Sequence, residues 1–201
     1  MINHIYTIGY SGFKIDSFID TLKTHNINAL IDVRSSAYSK YFSDYNKSNL
    51  EKLLPQHGIH YRNYVEEFGA RQENKAFYPN GYLDFELFAQ SVQFKSGVKK
   101  ILAGMKKNYI FALMCAEKDP INCHRTSLVA RAFAEAGCKV IHLQPNGVEE
   151  PHSSVETRLL DKYYPDRYCL SLFDEAPDDD ELLKRSYRMR NQEIGYKLNH
   201  E

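Results

Sequence analysis

At 201 residues, with 43% hydrophobic and 13% aromatic side chains, the chain is long enough to bury one well-formed core and has an ordinary globular composition. Its 26 basic and 26 acidic side chains cancel, which excludes the global field that draws proteins non-specifically to nucleic acid or to an anionic membrane. No apolar run approaches the roughly 18 residues needed to span a bilayer, and "MINHIYTIGY" lacks the regions of a signal peptide, so a cytoplasmic protein with no membrane partner is expected.

"HIYTIGYSG" reads as the first strand. It ends in a small turn, Gly9, Tyr10, Ser11 and Gly12, where backbone can approach a ligand closely, although two glycines also commonly just make a turn. "KIDSFIDTLKTHN" repeats Ile15, Phe18, Ile19 and Leu22 at helical spacing. "NALIDVRSS" is the second strand, and strand, helix and strand in this span make a βαβ unit with a parallel pair and a right-handed crossover. This strand carries Asp32 and Arg34 two apart, hence on one face. Either they close the strand end as a structural ion pair, or Arg34 binds an anion bidentately while Asp32 orients it.

"SNLEKLLPQHG" predicts a short helix ended by Gly58, "IHYRNYV" a strand, and "DFELFAQSVQFKSGVKKILAGMKK" a helical stretch broken near Gly97. Residues 38–82 as a whole are poor in regular pattern and rich in tyrosine, with "FGARQENKAFYPNGY" a long loop of the kind that is often functional. "NYIFALMC" and "KVIHLQ" are the clearest remaining strands. Near-continuous apolar strands alternating with amphipathic helices predict an α/β fold: a single domain with a mostly parallel sheet and helices on both faces. Residues 174–201 form a charged C-terminal extension, "DEAPDDDE" followed by "LKRSYRMRNQEIGYK", expected as a solvated acidic turn and a surface helix rather than a partner-binding tail.

The four cysteines, Cys115, Cys123, Cys138 and Cys169, occur singly and form no C-x-x-C pair. Reduced thiols are therefore expected, with no disulfide framework, no structural zinc site and no cofactor. The stretch "FALMCAEKDPINCHRTSLVARAFAEAG" nevertheless stands out. A buried strand hands over through a polar connection to a helix whose apolar stripe is Leu128, Val129, Ala132, Phe133 and Ala136, stopped at Gly137. Asn122 is read as the N-cap, leaving Cys123, His124 and Arg125 in the first helical turn. Free N–H groups and an arginine there favour an anion and lower a thiol's pKa, so Cys123 is a candidate nucleophile and Arg125 a candidate anion holder. Cys115 is either reactive too or a small apolar residue ending a core strand. His124 is a base, a ligand contact or a surface residue. His142, within "KVIHLQ", is expected to be a hydrogen-bonded structural histidine.

"TIGYSGF", "IDVRS" and "CAEKDPINCHR", in this order and spacing, resemble the uncharacterised bacterial and archaeal family called domain of unknown function 488. The resemblance implies an α/β fold, no established reaction, and Gly9, Tyr10, Ser11, Asp32, Arg34, Cys115, Glu117, Cys123, His124 and Arg125 as candidate site residues. Where similar sequences carry leucine and two glycines, this chain reads "FGA", and Arg71 directly after it can add a second cation. "IDVR" is also similar to a rhodanese strand, but no arginine follows either cysteine at the six-residue step of a phosphatase loop.

Two functional expectations result. One is an enzyme, a cysteine-dependent hydrolase or transferase, acting on a small phosphate- or nucleotide-like anion held by Arg34, Arg71 and Arg125. Cys123 or Cys115 would be the nucleophile, with His124, Glu117 or Asp32 as acid or base. The other is a nucleic-acid-binding module that uses these arginines for phosphate and the tyrosines of 38–82 for stacking.

Overall fold

The computed structural model describes residues 3–169 and 178–198. Six strands, β1 (His4–Gly9), β2 (Ala29–Asp32), β3 (His60–Asn63), β4 (Phe111–Cys115), β5 (Lys139–Leu143) and β6 (Glu149–Pro151), form one sheet in the order β3-β2-β4-β1-β5-β6. All pairings are parallel except β5 with β6, a short antiparallel edge that the sequence pattern did not announce. Strands β2 and β4 are buried at every residue, as parallel strands covered on both faces must be.

The fold is thus α/β, with the sheet sandwiched by helices. Because side chains alternate along a strand, Ala112 and Met114 of β4 join one core with Phe18, Ile19 and Leu22 of α1 (Ile15–Thr24) and Leu50 of α2 (Lys47–Leu53). Phe111, Leu113 and Cys115 join the other, with Phe68 of α3 (Val65–Phe68), Phe88 of α4 (Phe85–Ala89), Phe94 and Ile101 of α5 (Val92–Met105) and Phe133 of α6 (Arg131–Glu135). A smaller cluster seals α7 (His152–Tyr163) against α8 (Asp179–Ile194) through Val155, Leu159 and Tyr187.

Three expectations need correction. The helical stretch breaks at Ser91, not Gly97: the Ser91 hydroxyl accepts from the Phe94 N–H at 3.2 Å and caps α5. Gly97 lies unbroken inside α5, where a Cβ would come within 2.9 Å of the Phe68 ring. The glycine lets the helix cross the phenylalanine that stands in "FGA".

Residues 38–82 are more regular than their pattern suggested, since besides the expected helix α2 and strand β3 they hold α3. Tyr45, Tyr61 and Tyr78 are buried in them and Tyr64 packs against the core, so much of the aromatic signal there is structural; Tyr38, Tyr41 and Phe42 are exposed, at 71%, 88% and 41%.

The C-terminal residues that the structure describes do form the expected surface helix, α8, with Asp178, Asp180 and Glu181 exposed, but they are tied to the domain rather than extending from it. The Asn191 side chain binds both the Phe85 N–H and the Leu83 carbonyl at 2.8 Å, and the Leu198 N–H reaches the Gly81 carbonyl at 3.1 Å. Of "DEAPDDDE", residues 174–177 lie outside the described residues; Asp178 caps α8 by accepting from the N–H groups of Asp180 and Glu181.

Candidate functional site

The carboxyl ends of β2, β4 and β1 lie side by side, and their register pairs Gly9 with Cys115 and Asp32 with Met114. The turn after β1 continues the ladder, with Tyr10 N–H on the Cys115 carbonyl at 3.1 Å and Ser11 N–H on the Ala116 carbonyl at 3.0 Å. Gly9 is required by close approach: a Cβ there would lie 1.8 Å from the Glu117 carbonyl oxygen. The backbone it admits is that of the Glu117 loop rather than a ligand's.

After β4 the chain departs from the expected helix start. Pro120–Asn122 make a 3-10 turn, and Cys123 is extended at φ −132° and ψ 139°. Arg125–Ala130 then wind as a π-helix that runs directly into α6. His124, rather than Asn122, therefore sits at the cap, and the extended Cys123 before it accepts through its sulfur from the Arg125 N–H at 3.4 Å. The wide π turn belongs to a class of distortion that is frequent at functional sites.

This geometry gathers four chemical groups. The Cys123 and Cys115 sulfurs meet the same Glu117 oxygen, Oε2, at 2.9 and 3.1 Å. The His124 ring approaches both sulfurs through Nδ1, at 3.9 Å from Cys123 and 3.8 Å from Cys115, while its Nε2 bonds the Val33 carbonyl at 2.9 Å. A carbonyl only accepts, so Nε2 carries a proton.

Burial raises the Cys123 thiol, but the hydrogen bond from Cys115 and the charges of Arg125 and His124 outweigh it and hold it well below its ordinary value. Cys115 goes the other way, raised well above its ordinary value by its hydrogen bond to Cys123 and by burial. Glu117 is raised by burial and by Cys123, and His124 is raised because Cys123 and Glu117 overcome the effect of burial.

Although the sequence contains no C-x-x-C, the two sulfurs and the His124 imidazole all lie within 4.8 Å of one another and are buried. The spacing rule that argued against a metal looks for ligands inside one local turn. Here they come from a strand end and from the helix start beyond a polar loop.

Asp32 and Arg34 form the other wall. Arg34 donates from Nε and Nη2 to the two carboxylate oxygens at 2.8 and 2.6 Å, and Tyr61 adds a hydroxyl donor at 2.6 Å. Nη2 also reaches the Tyr45 carbonyl at 2.8 Å, and the guanidinium lies over the Tyr10 ring at 5.1 Å. The remaining nitrogen, Nη1, is buried without a hydrogen-bond partner among the described residues. Both readings of the pair are accommodated: it is structural through two nitrogens and has a donor to spare on the third.

Arg125 is placed differently. It is fully buried and donates to the Thr7 hydroxyl and to the carbonyls of Glu117 and Lys118, at 3.3, 2.5 and 3.2 Å. These bonds occupy the guanidinium in fixing the loop that carries Glu117.

A cavity of about 370 Å³ opens over this edge, and Tyr10, Arg34, Arg71, Cys115, Glu117, Cys123 and His124 all line it. Gly9, Ser11, Asp32 and Arg125 do not; they support it from behind. Sequence reasoning missed Asn122, the serines that follow Arg34, and Ile194 and Tyr196 from the C-terminal end. Tyr196 lies under the Arg71 guanidinium at 4.6 Å, a contact between distant segments that left no local signal.

Behind Arg125 runs a second polar cluster. Thr7 accepts from Arg125 Nε, so its one proton goes to His142 Nδ1 at 2.7 Å. His142 Nε2 then donates to His152 Nδ1 at 3.0 Å, His152 Nε2 to the Tyr187 hydroxyl at 3.1 Å, and Tyr187 to Glu156 at 2.9 Å. The Glu156 carboxylate only accepts, and a neutral imidazole donates from one nitrogen and accepts at the other, which fixes the direction of every link back to Thr7. Both histidines are held neutral: burial lowers His142 well below its ordinary value and His152 to about 4. His142 is thus a hydrogen-bonded structural histidine.

No helix of the described residues is long and apolar enough to cross a membrane. Residues 14–132, more than half of the chain, match the family described as "Domain of unknown function DUF488". No curated protein and no solved structure matches.

Proposed function

Because the chain belongs to the DUF488 family, whose description names no reaction, we propose from the cavity itself that the protein is an enzyme acting on a small anionic substrate. The observation that carries this reading is the unpartnered Nη1 of Arg34. A buried donor without a partner costs stability, and of the buried unpartnered side chains among the described residues only Arg34 lines the cavity. A phosphate or carboxylate oxygen satisfies it. Asp32 and Tyr10 hold the guanidinium in place beforehand, so little ordering remains to be done on binding.

Arg71 supplies a second cation at the same cavity, whose size suits a small molecule. The opposite wall brings the two thiols, the His124 imidazole and the Glu117 carboxyl to the held substrate. Glu117, whose carboxyl burial and Cys123 push above its ordinary value, touches both sulfurs and suits proton transfer. The nucleic-acid reading draws less support, because Tyr45, Tyr61 and Tyr78, three of the tyrosines it would use for stacking, are buried in the core.

The test is calorimetric titration of the full chain with inorganic phosphate, small carboxylates and nucleotides. At least one should bind saturably, and Arg34→Met should weaken it about tenfold or more, the worth of a hydrogen bond to a charged group. Arg71→Met, at an exposed position, should weaken the same ligand without touching the fold. Absence of binding across the panel, or binding indifferent to both variants, would overturn the reading.

A further inference from the structure

We infer that Cys115, Cys123 and His124 are the three protein ligands of a sulfur-preferring divalent metal, with an open fourth position facing the cavity. The three ligand atoms already converge, and the residues are 3%, 1% and 9% exposed. In a tetrahedral zinc site, metal–sulfur and metal–nitrogen bonds of about 2.3 and 2.0 Å put sulfur and nitrogen about 3.5 Å apart. The observed separations of 3.8 and 3.9 Å lie close to that tetrahedron edge.

A second, independent feature is the Val33 carbonyl on Nε2 of His124. Metal-binding histidines characteristically donate their other ring N–H to such an acceptor, which fixes the tautomer and aims the free nitrogen at the metal. Here that nitrogen is Nδ1, directed at both sulfurs.

The charges also balance. Two thiolates neutralise a divalent cation, and a metal between them relieves both sulfurs of sharing a single carboxylate oxygen. Thiolate and imidazole ligands select zinc or ferrous iron over magnesium or calcium.

Glu117 touches both sulfurs yet falls outside the mutually close group, leaving three ligands. Structural zinc sites are closed by four protein ligands, whereas catalytic ones keep a position for water or substrate. Glu117 is placed to accept a proton beside such a position. This assignment deepens the reading above and rests on it only for the substrate that would reach the metal.

The test titrates the reduced, chelator-stripped full chain with Co²⁺ and then Zn²⁺. One equivalent of cobalt should bind with thiolate-to-metal charge-transfer absorption, and zinc should displace it. Cys115→Ser, Cys123→Ser and His124→Gln should each weaken binding beyond the roughly 10–100-fold that losing a second-shell partner costs. Cys138→Ser and Cys169→Ser should change nothing, and Glu117→Gln should retain one equivalent. Arg34→Met and Arg71→Met should leave metal binding intact while weakening the anion, which separates failure here from failure of the anion site. The wild-type spectrum decides even where a ligand variant does not fold. No charge-transfer band in the wild type, or a band abolished by Cys169→Ser, would overturn the assignment. Loss of binding in Glu117→Gln would overturn the open fourth position. Fast alkylation of Cys123 that metal does not slow would return the site to a covalent nucleophile.

Discussion

Arg125 stands between two buried polar clusters that solve the same problem in opposite ways. On one side, Thr7, His142, His152, Tyr187 and Glu156 form a chain in which every link is matched and the direction is fixed from Glu156 back to Thr7. On the other, Arg34 keeps a spare donor, two thiols compete for one carboxylate oxygen, and His124 is drawn toward its charged form while His142 and His152 are held neutral. A complete network rigidifies a core, whereas an incomplete one beside a cavity leaves valences for something the chain does not supply. Burial and polarity alone would class the two clusters together. Completeness separates them.

The largest expected effect tests whether the cavity wall is nonetheless built as firmly as the chain. Asp32→Ala strands the Arg34 charge at a site where Asp32 is fully buried, and should cost about 3–5 kcal/mol of unfolding free energy in urea titration. A loss below about 1 kcal/mol would mean that Arg34 finds other support and that this wall is soft.

Acidification should strike the histidine chain next. His152 is held at about 4 in the fold, while an unfolded imidazole takes its proton near 6.5, so the unfolded state binds more protons in that window. Stability is therefore full above about pH 6.5 and falls as the pH drops toward 4, by roughly 3 kcal/mol from His152, with His142 adding in the same direction. Urea midpoints measured across this range should show the slope, and His142→Leu combined with His152→Leu should flatten it. An unchanged slope in that variant would show that the pH dependence arises elsewhere.

The smallest expected changes sharpen the contrast most. Tyr187→Phe removes one link and should cost about 1–3 kcal/mol, because His152 and Glu156 lose their shared partner, with anion and metal binding unaltered. Cys123→Ser should change the unfolding free energy by less than about 1 kcal/mol, since a hydroxyl retains the contacts to Glu117 and the Arg125 N–H. It should remove metal binding all the same. If the two variants exchanged these outcomes, the division into a structural and a functional cluster would be wrong.

Much of the frame is local and was legible as such. Apolar runs such as "FALMC" and the spacing of Phe18, Ile19 and Leu22 encode their elements in a few consecutive residues. A parallel sheet then gathers its strand ends on one edge, so "IDVRS" and "CAEKDPINCHR" could be placed at a common rim from sequence. Gly97 misled because its reason lies across space, in the ring of Phe68. Residues 38–82 misled because a tyrosine buried by distant partners looks the same in sequence as one left free to stack.

What the sequence by itself determined is the five parallel strands, several of the helices that join them and which residues reach the sheet edge, because periodicity and apolar runs act within a few residues of the chain, whereas α3, β6 and α7 went unannounced. Only the tertiary structure decided that Arg125 turns inward to hold a loop, that Arg34 keeps a free donor, and that Cys115, Cys123 and His124 converge. It also decided that the C-terminal helix delivers Ile194 and Tyr196 to the cavity wall. The reason is that a side chain's hydrogen-bonding and ligating state depends on which partners arrive from elsewhere in the chain, and no local pattern records their arrival.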